Sequence, residues 1–144
     1  MSDVYPSTMI LLEDADMLSP ATVIANYMQA QGIGTIGTDL SIGGVPERVD
    51  SVISVVDSPA HASPHPNVPE ESPTVKILVR ERDYDAGYSQ CKAITDLLQS
   101  LPSQDIDGKR VISCLAVGSP NWLGWDDNNR GQWSMNFNLI RSRA

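Results

Sequence analysis

The segment 74–101 constrains this chain most, because it reads as a strand running straight into a helix. Residues 74–80 are largely β-branched or apolar, with Val75, Ile77 and Val79 on one face at the period of two that a strand imposes. After the charged pair Glu81 and Arg82 come two candidate caps, Asp83 and Asp85, either of which could accept from the free N–H groups of a helix start. Tyr84, Gly87, Tyr88, Cys91, Ile94, Leu98 and Leu101 then recur at steps of three and four. That is one apolar stripe on a helix of about five turns, which Pro102 stops. Lys92, Asp96 and Gln99 fall on the other side. A strand and a helix so closely joined pack against each other, so this pair is expected at the centre of the core.

A second helix is signalled over 20–31. Ser19 is its N-cap, Pro20 takes the first helical position, Gly32 closes it, and Val23, Ile24, Tyr27 and Met28 form its buried stripe. Residues 38–42 look extended, and 43–46 form a turn. Val49, Val52, Ile53, Val55 and Val56 mark an interior strand with apolar residues on both faces. Residues 109–117 read as the next strand, with Val111, Ser113, Leu115 and Val117 on one face and Ile112, Cys114 and Ala116 on the other. Residues 118–131 read as a loop carrying Trp122 and Trp125. Residues 132–141 then alternate, with Trp133, Met135, Phe137 and Leu139 inward and Gln132, Ser134, Asn136 and Asn138 outward. Arg141, Ser142 and Arg143 form a small basic tail. The last strands are joined by connections too short for a helical crossover and should be antiparallel. The fold class expected is α+β: a mainly antiparallel sheet of four to five strands covered on one face by two helices.

Two segments stand outside this pattern. In residues 1–18, Ser7 could cap a short helix through Met9 and Leu12, but Asp14 and Asp16 interrupt the stripe. Residues 58–73 contain five prolines, which deny the backbone donors a sheet ladder needs, so a long projecting loop is expected there. A single domain spans 1–144, enough to bury roughly two-thirds of its unfolded surface.

Several motifs invite chemistry and fail on context. Gly32, Gly34 and Gly37 satisfy G-x-G-x-x-G, yet a dinucleotide site needs those glycines after a strand and opening a helix. Here they follow a helix and lead into a strand. His61 and His65 stand four apart, a metal-binding spacing on a helix, but Pro64 and Pro66 deny them one. Asp105, Asp107 and Gly108 lack the glutamate that closes a calcium loop and read as a turn. A nucleophile needs a base in reach, and the only histidines lie in the proline-rich loop. No catalytic, cofactor or metal residue is assigned, and no enzyme is expected. What remains is surface-like. Trp122 and Trp125 are either interface anchors or rings folded back over the open end of the sheet, and His61 and His65 sit in a loop suited to contact a neighbour. A sheet apolar in places on both faces, with two helices to cover it, also points to burial by another subunit.

Net charge is −8 with a pI near 4.5, which argues against gripping nucleic acid, since a binder needs Lys and Arg to neutralise phosphates. It leaves room for a surface past which nucleic acid slides without sticking. No run of about 18 apolar residues provides a membrane span, and the start lacks the basic and apolar regions of a signal peptide. Cys91 and Cys114 are expected as buried free thiols in a reducing cytoplasm.

The run 75–80, then Tyr84, Asp85 and Ala86, then a helix ending Leu97 and Leu98, resembles a family of bacteriophage minor capsid and tail-terminator proteins. So does the closing run Gly118, Ser119 and Pro120, then 123–126, then 130–137. Helix 20–31, followed by 32–35 and later Val45 and Pro46, sits where that family's N-terminal helix and first hairpin are expected. The resemblance covers roughly residues 19–141. It implies a virion protein assembled in the host cytoplasm: a subunit of a ring, typically of six copies, at the head-proximal end of a long tail. Its partners would be further copies of itself, the tail-tube protein and the head's connector, with DNA passing through the lumen, which an acidic lining would favour. Loop 58–73 would be a projection that orders on meeting a neighbour. Another head–tail adaptor or completion factor, or a small-molecule-binding or enzymatic α+β domain, are the alternatives. A ring subunit buries large flat areas against its copies, whereas an enzyme needs a pocket with convergent polar groups.

Overall fold

The computed structural model describes residues 18–58, 70–106 and 109–142. The element order is α1 (Pro20–Ala30), β1 (Leu40–Ile42), β2 (Val52–Ser58), β3 (Glu70–Glu71), β4 (Thr74–Glu81), α2 (Tyr84–Gln99), β5 (Gln104–Ile106), β6 (Lys109–Ala116), β7 (Asn121–Trp125) and β8 (Gly131–Ser142).

The first helix begins and ends as its sequence dictates. Ser19 Oγ accepts from the Thr22 amide at 3.1 Å, and Pro20 follows, where a missing N–H costs nothing. The Ala21 amide donates to Asp57 Oδ1 at 2.9 Å, so a carboxylate on β2 holds the positive end of the helix. At the other end Gly32 adopts φ +90°. There the Ile33 amide donates to Met28 O at 2.9 Å and the Gly32 amide to Gln29 O at 3.1 Å, the paired bonds of a Schellman stop. The three glycines of the G-x-G-x-x-G run all take positive φ between α1 and β1. They serve to turn the chain. In α2, Asp83 is the cap, its Oδ2 accepting from the Ala86 amide at 2.8 Å, while Asp85 lies in the first turn.

Among the described residues all strands belong to one sheet of order β1-β2-β4-β8-β6-β5, with β3 and β7 also paired to β8. Every pairing is antiparallel except β1 with β2. The twelve-residue β8 is the axis of the sheet. Along one edge it pairs with β4 and then β3, along the other with β7 and then β6. Since β4 and β6 both run against β8, they are parallel to each other, and α2 is the crossover between them. The last strand is thus inserted between two that precede it.

Register places Ile53, Val79 and Trp133 in one row across β2, β4 and β8, and Val55, Ile77 and Met135 in the next. Against this face lie Val23, Ile24, Ala25 and Met28 of α1 and Cys91, Ile94 and Leu98 of α2, all fully buried, so both helices cover the same side. Burying each large aliphatic chain contributes about 1.5–3 kcal/mol. Cys91 and Cys114 are buried free thiols in this core.

Four expectations require correction. Among the described residues the sheet has eight strands rather than four to five, because β3, β5 and β7 add to those expected. In β6 a bulge between Val111 and Ser113 puts Val111 on the core face with Cys114 and leaves Leu115 exposed, so the strict alternation expected there breaks. Arg141 is not a basic tail: it ends β8, 7% exposed, ion-paired to Glu71 and donating to Leu18 O. The segment 58–73 is also less open at its ends than expected, since Ser58 belongs to β2 and Glu70–Glu71 pairs with β8. The expected short helix near Met9 lies outside the described residues.

Candidate interaction surface

The expected loop 118–131 is in fact a strand, β7, and a tight return into β8. Gly118 and Gly124, both at positive φ, together with Pro120, read as turn residues but flank or bend a strand. Pairing Trp122 with Trp133 and Trp125 with Gly131 brings the three tryptophans onto the helix-covered side of the sheet, beside the start of α2. There they meet two tyrosines. Trp133 is the buried hub, with ring centroids 5.0 Å from Tyr84, 5.4 Å from Tyr88 and 5.0 Å from Trp122. Trp122 in turn lies 4.7 Å from Tyr84 and 5.3 Å from Trp125, both edge-on. Tilted and edge-on pairs at this spacing are the favoured aromatic geometry, each contributing about 0.5–1.5 kcal/mol beyond area burial.

Two glycines make room for the cluster. A Cβ at Gly87 would stand 2.7 Å from Trp133 Nε1, and one at Gly131 would stand 3.1 Å from the Trp122 ring. The indole of Trp133 therefore lies directly against the α2 backbone, and its Nε1 finds no acceptor among the described residues.

The outer members of the cluster remain in solvent. Tyr84 is 44%, Tyr88 43% and Trp125 53% exposed. Trp122 folds back over Trp133, while Trp125 stands out at the end of β7. Tyr84 and Tyr88 were expected within the buried stripe of α2, but they sit at the helix start, where the sheet ends before covering them. His61 and His65 lie outside the described residues.

A guanidinium clamp fixes the loops around this end of the sheet. Arg130 is only 2% exposed, yet its Nε–H donates to Asp126 Oδ2 at 2.8 Å and its NH2 group to Glu47 Oε2 at 3.0 Å. Its NH1 group donates to Glu47 O at 2.7 Å and lies 3.5 Å from Asp50. Arg80, pointing to the sheet face opposite the helices, donates to Pro46 O and Val49 O. Together the two side chains staple loop 43–50 across that face. Burial and the neighbouring Arg130 charge pull the Arg80 guanidinium below its usual pKa. Arg130 is raised, because burial is outweighed by its bonds and attraction to Asp126 and Glu47. Asp50 is held below the ordinary carboxylate range, first by its hydrogen bond from Arg82, then by the Arg82 and Arg130 charges against partial burial. For Asp126 burial pushes upward, but hydrogen bonds from the Arg130 backbone and side chain and from the Asn128 amide bring it below that range.

The clefts offer little convergent chemistry. One of about 350 Å³ between the 32–34 turn, β2 and α2 holds two carboxylates, Asp39 and Glu81. Asp39 accepts from the Thr35 amide and Glu81 from Ser51. Among the described residues no three His, Cys, Asp or Glu side chains come together as a metal site, and no helix is long and apolar enough to cross a membrane. Burial pushes both thiols up to about 12, far from the reactive thiolate.

Comparison with known proteins agrees with this geometry. A chain from the virion of a native gene transfer agent particle has the same fold, with a TM-score of 0.58 at 13% identity over 85% of this chain and 95% of that one. No curated protein matches. The family model for bacteriophage tail terminator protein matches residues 27–143, the segment that holds the end of α1, all of α2, the whole sheet and the aromatic cluster. The chain thus belongs to the bacteriophage tail terminator family and is a structural protein of the virion tail.

Proposed function

We propose that this protein assembles as a closed ring, of six copies, that caps the head-proximal end of the tail tube and joins it to the connector of the head. In this role it halts addition of tail-tube subunits and gives the connector a surface to dock on. The genome passes through the central hole. The single observation that carries this reading beyond family membership is the solvent-facing cluster of Tyr84, Tyr88 and Trp125 on a buried aromatic base. Aromatic residues held rigidly at a surface are the side chains that dominate interface energy. A net charge of −8 supports DNA passage, since an acidic lumen repels the phosphate backbone and lets it slide. The 58–73 segment, tethered at Ser58 and Glu70, is suited to reach a neighbour.

The test is tail-tube growth in vitro. Purified protein added to elongating tail-tube polymers is expected to stop elongation and to appear as a cap at one end of each tube. Unchanged elongation with no bound protein would exclude the capping role.

A further inference from the structure

We draw no further inference here: the strongest candidate, the uncharged stretch 111–125 along the β6 and β7 side of the sheet, which leaves Leu115, Val117, Leu123 and Trp125 exposed, carries none because nothing in the structure shows what covers it.

Discussion

Replacing Gly87 with alanine sets two effects of opposite sign against each other. In a helix interior alanine is favoured over glycine by roughly 0.5–1 kcal/mol, because the unfolded chain has less freedom to lose. At this position, however, the new Cβ would stand 2.7 Å from Nε1 and 2.8 Å from Cδ1 of Trp133, where ordinary contact begins at 3.4 Å. The indole would have to retreat by about 0.7 Å. It is 4% exposed and held by Tyr84, Tyr88 and Trp122, so the cluster must move with it. Overpacking of this kind costs about 1–3 kcal/mol, which outweighs the helix gain and leaves a net loss of about 1–2 kcal/mol. For a chain of this size that lowers Tm by about 3–6 °C. Calorimetry measures the shift, and near-UV circular dichroism reports the displaced tryptophans. The decisive comparison is the same substitution in a Trp133→Val background, which removes both the Nε1 and the Cδ1 atoms in conflict. There Gly87→Ala should cost less or become stabilising. An equal cost in both backgrounds, or a rise in Tm in the native one, would refute the argument.

The clamp makes three further predictions together with the thiols. Arg130→Ala should lower the urea midpoint clearly more than Arg82→Ala, since Arg130 ties two loops from a 2% exposed position whereas Arg82 pairs with Asp50 at a 57% exposed one. Asp50 and Asp126 titrate below the ordinary aspartate value of about 3.9, so their contribution is full above it and is lost as pH falls through their lower folded values. Urea midpoints should therefore fall progressively below about pH 5 on account of these groups, and Asp126→Asn should flatten that dependence. Cys91 and Cys114 should resist Ellman's reagent at pH 8 in the native protein and react fully in denaturant; rapid labelling of the native form would contradict their burial.

How much of this was legible differs element by element, for physical reasons. The strand and helix over 74–99 could be read because burial on one face imposes a period that the residues display. Trp133, Met135, Phe137 and Leu139 were read inward for the same reason, and they are the core row of β8. The strand β7 was hidden because five residues are too few to show a period, and Gly124 and Pro120 normally mark turns. Both β3 and β5 are shorter still. The exposure of Tyr84 and Tyr88 depends on where the sheet stops, which spacing along a helix does not encode. Arg130 gave no signal either: its burial depends on Glu47 and Val49, more than eighty residues away in the chain. An arginine between Asp126 and the start of a strong strand could have prompted the question, but not the answer.

The central claim is a ring, and native mass spectrometry of the full-length protein with electron microscopy of the same sample tests it most directly. The account predicts one dominant species of six copies and images of an annulus with an open centre. A protein that remains monomeric at high concentration, and also when offered preformed tail tubes, would contradict it.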